Sequence, residues 1–166
     1  MTDFDVLVAG EINPDLIISG NVEPAFNQAE KIIDSANMVI GSSSVIFACG
    51  AARLGLRVAF IGKCGDDIFG NFMLNEMRKR SINVDHVIID QKGSTGISVI
   101  LNKANDRAIL TQPGLIAALK ADEISDSLLK KCLHSRVEML HCSSISQNIP
   151  TILKLPRKTT YREGLS

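Results

Sequence analysis

The hydrophobic positions of this chain fall into short continuous runs. Asp5-Val6-Leu7-Val8-Ala9-Gly10 is apolar, rich in β-branched residues and closed by glycine. Such a run suits a strand covered by helices on both faces, so it predicts a central parallel strand. Leu16-Ile17-Ile18 and Met38-Val39-Ile40 predict two further extended pieces, separated by a polar excursion containing Pro24 and Asn27. Small and apolar residues from Val45 to Gly55, entered through Ser42-Ser43-Ser44, predict a buried helix that stops at Gly55. Arg57 to Gly62 repeats the character of the first strand, and over Asn71 to Arg80 the residues Phe72, Leu74 and Met77 alternate with charge at helical spacing. Ile82 to Ile88 adds one more extended segment. A strand–helix–strand alternation of this kind requires crossovers in a parallel sheet, and the fold class is therefore α/β.

An antiparallel ribbon interrupts that alternation. Thr95 to Leu101 and Arg107 to Thr111 flank Asn102-Lys103-Ala104-Asn105-Asp106, whose Asn/Asp content marks a hairpin turn. Ala121 to Leu133 predicts an amphipathic helix with Ile124, Leu128 and Leu129 on one side, followed by a core strand over Val137 to Cys142. Beyond Ser143 periodicity fades, and Lys154 to Arg162 forms a basic patch between and beyond Pro150 and Pro156.

Composition narrows the field. The 166 residues are 45% hydrophobic and 22% charged, enough apolar material for one folded domain. Lys+Arg 18 balance Asp+Glu 18, so no excess positive field exists to release counterions from a polyanion, and nucleic acid is not expected as a partner. No apolar run approaches the ~20 residues of a membrane span. The opening Met1-Thr2-Asp3-Phe4-Asp5 is acidic, unlike the basic start of a signal peptide, so the expectation is a cytoplasmic protein without a membrane partner. Cys49, Cys64, Cys132 and Cys142 lack CxxC spacing and read as buried free thiols.

Several motifs carry candidate chemistry, each with a plainer structural alternative. Gly10-Glu11-Ile12-Asn13-Pro14-Asp15 follows a core strand, where open α/β sheets bind their ligands. Asn13 offers a donor and an acceptor and Asp15 accepts two hydroxyl protons, a pairing suited to adjacent sugar hydroxyls; the alternative, which the local sequence alone favours, is an Asx turn. Gly41-Ser42-Ser43-Ser44 either holds ligand oxygens or caps the following helix. No Lys-Ser/Thr pair follows that glycine, so it is not a Walker loop, and the further glycines of a dinucleotide fingerprint are missing after Gly10. Asp66-Asp67 reads as a helix start favoured by the macrodipole rather than a cation site. His86, His134 and His141 show no zinc-ligand spacing, and Ser143-Ser144 lacks the glycines of a nucleophile elbow. No metal site and no catalytic nucleophile are proposed from these residues.

Taken in order, the segments from Asp5 to Ser144 resemble the PfkB (ribokinase-like) family of carbohydrate and nucleoside kinases. Val8-Ala9-Gly10-Glu11-Ile12-Asn13-Pro14-Asp15 is similar to the family's first strand and its substrate-gripping Asn-x-Asp. Ile40 to Leu54 resembles the start of the first family signature, and Gly62-Lys63-Cys64-Gly65-Asp66-Asp67-Ile68-Phe69-Gly70 fits its continuation, G-x-x-G-x-D-x-x-G. The ribbon from Ser94 through Thr111 resembles lid strands, and Gln112-Pro113-Gly114 falls at a short glycine-bearing turn.

That resemblance implies a three-layer α/β/α sheet carrying a small β-sheet lid, with residues 1–144 as the kinase-like part, lid strands at about 15–40 and 95–111, and residues 145–166 as a divergent or truncated continuation. It implies an ATP- and Mg²⁺-dependent sugar kinase in which Asn13 and Asp15 bind sugar hydroxyls, Gly41-Ser42 matches a hinge-forming Gly-Gly, and Ser43, Ser98 and Thr111 line the pocket. Two departures stand out: Ser42 occupies the second hinge glycine and Ile46 the place of a family asparagine. The late G-A-G-D motif, whose Asp is the family's general base, does not occur, so the chain is expected to be the substrate-and-lid half of such an enzyme, inactive by itself and without a catalytic residue of its own. The alternative reading is a non-catalytic interaction module whose lid strands pair with a second copy in a homodimer.

Overall fold

The computed structural model describes residues 3–137. The opening dipeptide, the expected strand residues from Glu138 to Cys142, Ser143-Ser144 and the basic Lys154 to Arg162 patch lie outside the described residues, as do 145–166.

In chain order the elements are β1 (Phe4–Ala9), β2 (Pro14–Ser19), β3 (Ser35–Ile40), α1 (Ser43–Arg53), β4 (Val58–Ile61), β5 (Lys63–Gly65), α2 (Ile68–Lys79), β6 (Ile82–Asn83), β7 (Ile88–Asp90), β8 (Ile97–Lys103), β9 (Asp106–Gln112), a 3₁₀ turn (Ala121–Glu123), α3 (Asp126–Lys130) and β10 (Cys132–Val137). The core sheet has the order β10-β1-β4-β6 and is parallel throughout, with β1 in its interior as the unbroken apolar run predicts. Alternation along β1 and β4 explains that run. Val6, Val8, Val58 and Phe60 face one side, packing with Val45, Ala48 and Ala51 of α1 and Met73, Leu74 and Met77 of α2. Leu7, Ala9, Ala59 and Ile61 face the other, against Leu119, Ile124 and Leu128. Over Val6–Ala9 and Val58–Ile61 neither face meets water, so nothing polar is tolerated there at either parity. Three layers result.

Local signals set the helix ends. The Ser42 hydroxyl accepts from the Val45 N–H at 3.2 Å and caps α1, which stops before Gly55 in the left-handed conformation at φ 88°. Only one stripe of α1 is buried, whereas its composition predicts burial all round; Ile46 and Leu54 stand in solvent. Asp67 caps α2 by accepting from the Gly70 N–H at 2.8 Å, as the acidic pair predicts.

Two elements differ from expectation. Ile82 to Ile88 is not one strand but two, because a turn at Asp85-His86 sends β6 to pair with β4 and β7 to pair with β5. The helix expected over Ala121 to Leu133 is a 3₁₀ turn and five residues of α3, and the strand expected from Val137 already begins at Cys132. The Ser125 hydroxyl accepts from the Leu128 N–H at 3.3 Å and starts α3 late, and β1 offers an unpaired edge against which Cys132 to Val137 gains a full parallel ladder.

A second sheet, β3-β2-β8-β9, is built from the two stray extended pieces and the hairpin. β2 pairs antiparallel with β3 and parallel with β8, and β8 pairs antiparallel with β9. The Lys103–Glu23 ion pair ties the β2–β3 excursion to the hairpin.

Candidate functional site

The site forms where the chain passes from the core sheet to the second sheet. β1 ends at Ala9, and four residues later Asn13 is buried, with its Nδ2 donating to the Asp15 carboxylate at 3.4 Å. Asp15 lies opposite Val39 on β3 and Ser98 on β8, and Ser98 in turn lies opposite Thr111 on β9. Residues in register share a face of a sheet, so Asp15, Ser98 and Thr111 form one polar row across three strands. The Ser98 and Thr111 hydroxyls share a hydrogen bond at 3.0 Å.

Gly41 completes this arrangement from the other side. A Cβ at that position would lie 2.3 Å from Asp15 Oδ1 and 2.7 Å from the Asn13 carbonyl oxygen, so only a bare Cα lets the β3–α1 turn pass beneath the carboxylate. Gly41→Ala is expected to displace Asp15 and to cost about 1–3 kcal/mol of stability through overpacking, read as a lowered urea midpoint. Burial pushes the Asp15 carboxyl above its ordinary value, and the charge of Arg107 opposes that rise. Arg107 stands opposite Asn102, four register pairs from Ser98–Thr111 and on the same face.

Ser42 and Ser43 are placed differently from the other expected site residues. Their hydroxyls turn to Glu11. Ser42 Oγ donates to the Glu11 carbonyl at 2.7 Å; Ser43 Oγ and Ser44 Oγ donate to the Glu11 carboxylate at 2.9 and 2.8 Å, and the Ser44 N–H reaches it at 3.4 Å. Sequence reading left Glu11 without a role. The signal for it was a third consecutive serine where one suffices for a cap.

A second root of the β8–β9 hairpin is pinned to the start of α2. Thr95 is buried; its N–H donates to Asp67 at 2.7 Å, and its hydroxyl accepts from the Gly65 N–H at 2.8 Å. Burial alone would raise the Asp67 carboxyl, but the Gly70 and Thr95 N–H groups it accepts hold it below its ordinary value. Thr95 was also missed from sequence, because its partner lies 28 residues away. Among the described residues no group of three or more His, Cys, Asp or Glu is arranged to hold a metal ion, and no helix is long and apolar enough to cross a membrane.

This chain is similar to known sugar kinases. It is 33% identical over 109 residues to the Probable fructokinase-5 of Arabidopsis thaliana, covering 64% of this chain and 32% of the relative. It is 31% identical over 132 residues to a 5-dehydro-2-deoxygluconokinase of Bacillus anthracis, covering 77% of this chain and 38% of the relative. Among solved structures, a PfkB protein from Polaromonas sp. JS666 superposes with a TM-score of 0.69 at 21% identity, covering 80% of this chain and 44% of that one. A fructokinase from Xylella fastidiosa gives 0.67 at 19% identity, covering 80% and 40%. The core sheet and its companion are thus a ribokinase-like fold, and the chain spans 32% to 38% of the length of these two relatives. The family model described as pfkB family carbohydrate kinase matches residues 46–154, and this chain belongs to that family.

Proposed function

We propose that this chain supplies the sugar-binding and lid portion of a carbohydrate kinase that phosphorylates a sugar hydroxyl. The observation that carries the reading is the polar row Asp15–Ser98–Thr111, set above a glycine that a side chain would fill. In this reading Asp15 accepts protons from two neighbouring hydroxyls, Asn13 holds the carboxylate, and Ser98 and Thr111 extend the hydrogen-bonding surface along the sugar. The second sheet acts as the lid. Its closure would exclude water, so that the phosphoryl group passes to the sugar rather than to solvent.

ATP with Mg²⁺ is the donor this family reading implies. Among the described residues no group of three or more His, Cys, Asp or Glu converges to hold the ion by itself. Only the sugar half is assigned to these residues, in the cytosol. Exposed apolar positions on the lid, among them Met38 and Leu110, support a homodimer in which the lid of one copy covers that of another.

Isothermal titration of the chain with fructose, with 5-dehydro-2-deoxygluconate and with ATP tests the reading. A heat of binding for either sugar in the absence of nucleotide is the expected result. Binding of ATP with neither sugar would overturn it.

A further inference from the structure

We infer that Glu11 is a positioning residue for the sugar site: it holds the hinge of the lid in its working shape without touching the sugar itself. This rests on the sugar-binding reading above.

The argument starts from Ser42. Its backbone sits at φ 63° and ψ 118°, a conformation that a residue with a Cβ rarely adopts, and it follows directly on Gly41 beneath the Asp15 carboxylate. Something must keep Ser42 there. Glu11 reaches this turn from 31 residues earlier, and its main-chain carbonyl takes the Ser42 hydroxyl at 2.7 Å. The Glu11 carboxylate takes the hydroxyls of Ser43 and Ser44, at 2.9 and 2.8 Å, and that of Ser42 at 3.2 Å; this side-chain grip, and not the main-chain carbonyl, is what Glu11→Ala removes. One residue therefore grips three consecutive serines, and it does so from the same loop that carries Asn13 to the site.

Both strands that cross at this root, β2 and β3, are fastened by that grip. β2 leaves the loop two residues after Ile12, and β3 enters the turn at Ile40; their first register pair is Pro14 opposite Ile40. A change in the Ser42 backbone would swing Gly41 and with it the space available to Asp15. Glu11 is placed to act on affinity through backbone shape, which distinguishes it from a residue that binds sugar or one that merely adds stability.

The test is a rescue. Glu11→Ala is expected to weaken binding of whichever sugar the wild-type chain takes, fructose or 5-dehydro-2-deoxygluconate, by tenfold or more in titration calorimetry. Adding Ser42→Gly to Glu11→Ala is expected to restore affinity to within about threefold, because glycine reaches positive φ without a clamp. Should Glu11→Ala not fold, Glu11→Gln and its Ser42→Gly double variant carry the same comparison. Wild-type affinity in the single variant overturns the inference, and so does a loss that Ser42→Gly fails to repair, since that marks a purely structural role. If the wild-type chain binds neither sugar, it is the sugar-binding reading that fails and the inference falls with it.

Discussion

Asp15→Ala should weaken sugar binding about a hundredfold, the equivalent of roughly 3 kcal/mol for a charged acceptor that serves two hydroxyls. Titration calorimetry against the wild-type chain checks this. Asp15→Asn is the more informative partner. The amide keeps an oxygen for the Asn13 donor at 3.4 Å but offers the sugar one acceptor instead of two, so affinity should still fall by about tenfold or more. Stability should move the other way. Burial raises the Asp15 carboxyl above its ordinary value in the folded chain, so its contribution to stability is complete below that ordinary value and is lost as pH rises through the raised one. At neutral pH the ionised side chain is a strain on the fold, which Asp15→Asn relieves. Its thermal midpoint should therefore equal or exceed that of wild type while its affinity drops. The same raised value fixes the pH profile of binding: affinity declines on acidification at a higher pH than an ordinary carboxylate would give.

Phe60→Ala should produce the largest loss of stability, about 3–5 kcal/mol by the usual cost of emptying an aromatic site in a packed core. Phe60 is 0% exposed on β4 and packs in the cluster under α1 and α2. Against a typical total of about 5–15 kcal/mol, such a loss leaves little reserve. Urea denaturation followed by circular dichroism measures it. Phe26 provides the contrast, since it is 85% exposed in the β2–β3 excursion, and Phe26→Ala should change stability by no more than about 0.5 kcal/mol.

Sequence was informative wherever a local pattern had a single physical solution. β1 and β4 were legible because a strand covered on both faces must be apolar at every position, and the ends of α1 and α2 because Ser42, Asp67 and Gly55 do cap and stop them. Asp15 stood out by its place just after the first strand, and Ser98 and Thr111 by resemblance to a family; the structure brings the three into one row through pairings of β2 with β8 and β8 with β9 that no local pattern encodes. Where two solutions compete, reading failed. Leu128-Leu129 and Cys132-Leu133 suit a helix or a strand, and the choice is made by β1, more than 120 residues earlier, which offers a ladder partner. Glu11 escaped for a similar reason. A lone carboxylate announces nothing until the fold brings three serines to it from the far side of an excursion.

The position of β1 between β4 and β10 has a consequence for how the protein is made. β1 is an interior strand, and its second neighbour is finished only when Val137 has been added. At synthesis rates of about 5–20 residues per second, that strand waits on the order of ten seconds with one hydrogen-bonding side open. Until the late strand arrives, the nascent chain offers a sticky apolar ribbon, and its yield in cells should depend on chaperone supply.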